Sequence, residues 1–233
     1  MAVDDRPAIR AAGRAEMYGF LAALHSGPPS PAVIESLRAG SLVREIGCDP
    51  ESPAARELLA HAAETRSEKD LGAELTAEYT RLFVLPSGLR PYESIYLDDK
   101  ARLGGRVTIE VRRLFEKAGA ALASTCIDLP DHAGMELEFM KFLCTIEGEM
   151  WRADNSSGAR KALEFEAAFF ENHLGRWYPI LCDRILAEAA PGLYRALAHL
   201  TSGFLRSELD LLPSLQAELC EEGTATCATS SFP

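Results

Sequence analysis

The chain has 233 residues, 47% of them hydrophobic and 25% charged, enough for a substantial buried core and too apolar for a disordered chain. Its formal charge of −11, from 35 acidic against 24 basic residues, repels a phosphate backbone, which argues against nucleic acid as a partner. The same charge favours a basic peptide, although an acidic surface kept for solubility would account for it equally.

No run reaches the roughly 18 apolar residues that a membrane helix needs. The acidic opening Met1–Arg6 lacks the apolar core of a secretory signal. A cytoplasmic protein without stable membrane insertion is expected.

Helix signals recur in chain order. A first helix is predicted from about Pro7 to Leu24, stopping before Ser26-Gly27-Pro28-Pro29. Ser30 reads as an N-cap with Pro31 in the first helical position, and Gly47 near Asp49-Pro50 closes that segment. A third helix spans about Pro53 to Thr65, and Ser67 reads as the cap of the next. Leu71, Leu75, Tyr79, Leu82 and Phe83 then form one apolar stripe at helical spacing, ended by Leu85-Pro86.

A Pro- and Gly-punctuated loop runs from Pro86 to Ser94, and the polar stretch 98–106 with Gly104-Gly105 reads as a hinge. Arg106–Val111 alternates like a strand. Val107, Val111, Leu114 and Ala118 also fit a helix, and no partner strand is evident, so helix is expected.

The next helix begins at Pro130-Asp131-His132 and runs to about Trp151, with Met135, Phe139, Leu143, Ile146 and Met150 on one face. Asp131 is its expected cap, with His132 packed beside it. After a turn at 154–158, Leu163, Ala167, Phe170 and Leu174 form a stripe ended by Gly175. Pro179 marks a further helix to Ala189, and a last one covers roughly Gly192 to Leu211. The reading is an all-α, single-domain bundle of about nine helices over residues 1–212, followed by a loose tail at 213–233.

Catalytic signatures are missing. There is no Gly-x-Ser-x-Gly elbow, no phosphate loop ending in Gly-Lys-Ser/Thr, and no His-Glu-x-x-His. The six cysteines, at 48, 126, 144, 182, 220 and 227, contain no Cys-x-x-Cys pair, so zinc and dithiol redox sites are unsupported. Glu57 with His61 and His132 with Glu136 are isolated pairs, too few for a metal centre. No catalytic residue, metal or cofactor is assigned, and the protein is not expected to be an enzyme.

Two features suit binding. Carboxylates and an imidazole gather at the helix start Asp131-His132, near Glu136 and Glu138, where guanidinium groups would find charge-assisted hydrogen bonds. The loop Pro91-Tyr92-Glu93-Ser94-Ile95-Tyr96 offers aromatic area held by proline. Either feature is equally explained by capping and by stitching a loop to the core.

Four segments in this order change that balance: Tyr79-Thr-Arg-Leu-Phe83; Gly88 with Pro91–Tyr96; Pro130-Asp-His132 leading into Glu136-Leu-Glu-Phe-Met140; and Phe170-Glu-Asn-His-Leu174 with Trp177 and Pro179. Together, over roughly residues 71–181, they resemble the TorD/DmsD/NarJ family of cytoplasmic chaperones for molybdenum enzymes of the dimethyl sulfoxide reductase class. The resemblance implies an all-helical fold and no metabolic catalysis. It also implies binding of the catalytic subunit precursor through its twin-arginine leader or a remnant of one, before cofactor insertion and export.

Peptide-binding residues carried over by the resemblance are Tyr79, Leu82, Phe83, Pro91, Tyr92, Ser94, Asp131 and His132. Glu136 and Glu138 are added from charge and helical position. The chain departs from some relatives in having Leu129-Pro130 directly before Asp131, and Tyr79 in place of a tryptophan. The competing reading is a helical scaffold or regulator without leader specificity. Exchange through the 98–106 segment leaves a homodimer open beside a monomer.

Overall fold

A computed structural model of the chain describes residues 5–65, 70–98, 101–121 and 128–228. Among the described residues the regular elements are α-helices: α1 (Arg6–Ser26), α2 (Pro31–Ala39), α3 (Leu42–Glu45), α4 (Pro53–Thr65), α5 (Leu71–Tyr79), α6 (Glu93–Leu97), α7 (Arg106–Lys117), α8 (Ala133–Arg152), α9 (Ser156–Phe169), α10 (Gly175–Glu188) and α11 (Leu193–Ala228). Two π-helical turns, Thr80–Val84 and Phe170–Leu174, extend α5 and join α9 to α10. The all-α class holds. The elements outnumber the expected nine because the segment read as one helix up to Gly47 breaks at Gly40 into α2 and α3, and short α6 begins in the stretch that read as loop.

Local chemistry sets several boundaries. Ser30 caps α2 by accepting from Val33 N (3.4 Å), and Gly40 ends that helix at φ 71°, where only glycine is unstrained. Ser52 does the same for α4 through Ala55 N (3.1 Å), and Asn155 for α9 through Gly158 N (2.9 Å). The Arg106–Val111 stretch is helical: Val107, Val111 and Phe115 bury one face of α7. The Ser67 cap lies outside the described residues, as do residues 99 and 100 of the stretch read as a hinge.

Two expected stops fail. Gly175 stays in the right-handed helical region (φ −67°), so α9, the π turn and α10 form one continuous rod with Pro179 inside it. The last helix likewise passes Pro213 instead of ending at Leu211, because Pro213 faces solvent while Leu212 and Leu215 are buried against the body. The segment from 213 is thus helical to Ala228, and 229–233 lie outside the described residues.

α1 and α8 form the most extensive helix pair and run antiparallel. Small residues let them approach. A methyl on Gly134 would collide with Ser26 and stand 3.1 Å from the Ala22 carbonyl, and one on Gly148 would lie 3.5 Å from the Ala11 methyl. One apolar cluster runs from Ala15 of α1 to Leu215 of α11 and encloses Tyr18, Phe169, Trp177, Tyr178 and Tyr194. Each such large side chain contributes on the order of 2–3 kcal/mol by leaving water.

Candidate functional site

Two irregular segments far apart in sequence meet at the start of α8. Tyr92 and His132 form an isolated antiparallel bridge. Glu93 N donates to Asp131 O (2.9 Å) and Ala133 N to Pro91 O (2.8 Å). The Tyr92 and His132 rings stand edge to face with centroids 5.0 Å apart. Asp131, fully buried, accepts from Ser94 N (3.1 Å) and so caps α6. A five-residue helix has few bonds of its own, and the bridge and this cap hold it in place.

His132, not Asp131, caps α8: its Nδ1 accepts from Gly134 N (3.2 Å). Asp131 is taken up by the α6 segment across the bridge, which its sequence position gave no reason to expect. An accepting Nδ1 requires a neutral ring at that nitrogen. Burial pushes the His132 pKa down accordingly, against the opposing pull of Asp128 and Asp131.

Beneath the bridge lies a buried polar layer. Glu93 contacts His173 Nδ1 at 2.9 Å, and the second π turn carries that histidine inward. Trp177 Nε1 donates to Glu136 Oε2 (2.9 Å). Burial, reinforced by the adjacent Glu93 carboxylate, lifts the Glu136 pKa well above the usual carboxylate range. Both π turns fall inside motif segments. In the first, Leu85 N bonds Thr80 O (3.0 Å) and Leu89 N bonds Leu82 O (2.6 Å). A methyl on Gly88 would stand 2.5 Å from Arg81 O and 2.6 Å from Leu82 O, so only glycine lets the loop return this closely.

The carried-over residues divide by burial. Tyr79, Leu82, Pro91, Ser94, Asp131, His132 and Glu136 are buried, and Phe83, Tyr92 and Glu138 reach the surface in part. Tyr79 bonds the His25 carbonyl (3.3 Å) and packs on Phe83, with centroids 5.3 Å apart. Glu138 pairs with Lys141 (3.0 Å) one turn away.

The exposed carboxylate at the bridge is Asp128, which accepts from the Tyr92 hydroxyl at 3.4 Å. Burial, with Asp128 adding to it, pushes both the Tyr79 and Tyr92 hydroxyls up to about 12. Sequence reasoning gave no role to Asp128, Glu93 or His173.

A second buried polar centre lies within the helix bundle. Arg14 of α1 donates to Glu147 of α8 (2.9 Å), to Glu166 of α9, and to both carboxylate oxygens of Glu208 of α11, which Tyr18 also bonds (2.9 Å). Cys144, Glu147 and Glu166 lie close enough to hold a metal ion, but the Arg14 guanidinium fills the cation's position between the carboxylates. This centre ties four helices together.

Residues 48–183 match the family model described as nitrate reductase delta subunit. The chain is 25% identical over 211 residues to a protein named chaperone protein TorD from Vibrio cholerae serotype O1, covering 88% of this chain and 94% of that one. It is 29% identical over 203 residues to a chaperone protein TorD from Aeromonas salmonicida (85% and 91% covered). A third of that name, from Shewanella pealeana, is 25% identical over 214 residues (86% and 90%). The matched region holds the bridge, both π turns, Glu93, Asp131, His132 and His173.

Proposed function

The chain belongs to the nitrate reductase delta subunit family, and from that premise we propose that it is a molybdoenzyme maturation chaperone that holds the catalytic subunit precursor of a dimethyl sulfoxide reductase-class oxidoreductase. It grips the precursor's twin-arginine leader, or a remnant of one, while the cofactor is inserted and before export. No catalysis is required of it. The naming as chaperones of relatives matched over nine-tenths or more of their length supports the coarse role, and the bridged site supports its location.

The observation that carries the placement is that half-buried Tyr92 packs on buried His132 and bonds the exposed Asp128. Asp131 and Glu136 are too deeply buried to meet a guanidinium without unpacking the core, and they act as positioning residues. Asp128 and the Tyr92 face do the meeting, by a charge-assisted hydrogen bond and by stacking of the planar guanidinium on the ring. Partly exposed Phe83 extends the aromatic area, and Glu138 adds acidic charge.

Co-expression of the tagged chain with a candidate precursor tests this. Tyr92→Ala combined with Asp128→Asn should sharply reduce the precursor recovered on the tag while the variant melts as the parent does. Unchanged recovery would show that the leader is held elsewhere.

A further inference from the structure

α10 and α11 flank an open groove of about 260 Å³ on the face formed after the second π turn. Its floor is Phe170, Gly175, Pro179 and Leu205, and Leu209 stands at its edge. The apolar surface does not end there. Leu209 is 60% exposed, and Ile180, one turn beyond Arg176 on α10, is 42% exposed. Large side chains left in water on two neighbouring helices mark a surface for another protein segment, since a small ligand would leave them uncovered.

The charge at the groove runs against that of the chain. Arg176 and Arg206 line it, one from each helix, with Glu171 as its single carboxylate. Both arginines are exposed. Among the described residues Arg176 reaches only the Asn172 carbonyl (3.5 Å) and Arg206 has no carboxylate partner. On a molecule of net charge −11 the groove is a local excess of cation around an apolar trough. A cationic leader gains nothing from it.

We infer that the groove is a second docking site, distinct from the Tyr92–His132 face, and that its occupant is an acidic amphipathic helix of a partner protein. The apolar ridge of that helix lies on Leu205, Leu209 and Pro179, and its carboxylates meet Arg176 and Arg206. Two parallel-facing helices present a trough that takes the i, i+3, i+4 ridge of a third. The paired arginines fix its charge and speed its encounter, while the apolar contacts set how long it stays.

The test uses the full chain and two fluorescently labelled helical peptides. Both carry leucines along one face; one has glutamates and the other lysines beside them. The glutamate peptide should bind roughly tenfold more tightly, the sum of two exposed ion pairs. R176E together with R206E should reverse that preference, and Leu209→Asn should weaken both peptides. All three positions are exposed, so melting curves should match the parent.

Equal binding of the two peptides, or a preference that survives R176E/R206E, would overturn the inference. So would displacement of the bound glutamate peptide by an arginine-bearing leader peptide, since the two sites would then be one. If sedimentation instead showed a dimer of the chain that Leu209→Asn dissolves, the occupant would be a second copy and the assignment to a partner helix would fall.

Discussion

Replacing Arg14 by Met should lower the melting temperature by roughly 6–20 °C. Among the described residues Arg14 is the only cation bonded to Glu147, Glu166 and Glu208, and all four groups are almost wholly buried. Taking the guanidinium away leaves three carboxyl groups facing one another without water or a counter-charge. Breaking a buried pair in this way costs about 3–5 kcal/mol, and a domain of this size loses roughly 2–4 °C for each kcal/mol.

Met nearly matches the volume of the arginine stem, so a large loss would report charge and hydrogen bonding rather than a cavity. Arg14→Lys should fall between the two, since it keeps the charge but lacks the planar fork that reaches three carboxylates. Calorimetry at neutral pH reads both variants. A melting temperature within a couple of degrees of the parent for Arg14→Met would mean that the centre does not hold the four helices together.

The same centre should make the protein less stable as pH rises from neutral. One guanidinium among three ionised carboxylates leaves two buried negative charges uncompensated. Burial, with Glu147 and Glu208 adding to it and Arg14 opposing it, pushes the Glu166 carboxyl up to about 8. Glu147 is raised too, again chiefly by burial. The unfolded chain has already lost these protons near pH 4.5, so the stability they confer is complete below that value and disappears as pH passes the folded value.

From pH 6.5 to 9 the Glu166 proton alone is worth about 2 kcal/mol. Buried His25 and His132 have the opposite sign: burial lowers His25 to about 4 and depresses His132, so protonation opposes folding below about pH 6.5. The carboxyl effect is therefore cleanest above that pH. Glu166→Gln mimics the protonated group. It should flatten much of the slope and melt above the parent at pH 9. A parent whose melting temperature rises or stays level from pH 6.5 to 9 would contradict the account.

The helix faces were legible because burial needs an apolar stripe and a helix repeats it every three or four residues. Val107, Val111 and Leu71, Leu75, Tyr79, Leu82 all lie where that period puts them. The π turns were not legible. Each adds one residue to a turn, the first closed by the returning loop through Leu89 N on Leu82 O, and the apolar spacing barely registers it.

Gly175 reads as a stop and Pro179 as a fresh start, and both are overridden because α9 and α10 each bury one side against the core. The pairing of Arg14 with three glutamates on three other helices is a property of the packed bundle and leaves no trace in any local window. At the site, sequence offered Tyr92 and His132 as candidates with no sign that the backbone bridges them, and it could not separate buried Asp131 from exposed Asp128, since both stand within a few residues of the start of α8.

The most direct test of the chaperone reading is a titration of the purified chain with the leader peptide of a molybdenum reductase precursor, against the same peptide with both arginines replaced by alanine. The account predicts clearly weaker binding of the alanine peptide, and an Asp128→Asn chain that distinguishes the two peptides less than the parent does. Equal affinity for both peptides in the parent chain would contradict it and favour a scaffold that does not recognise the arginine pair.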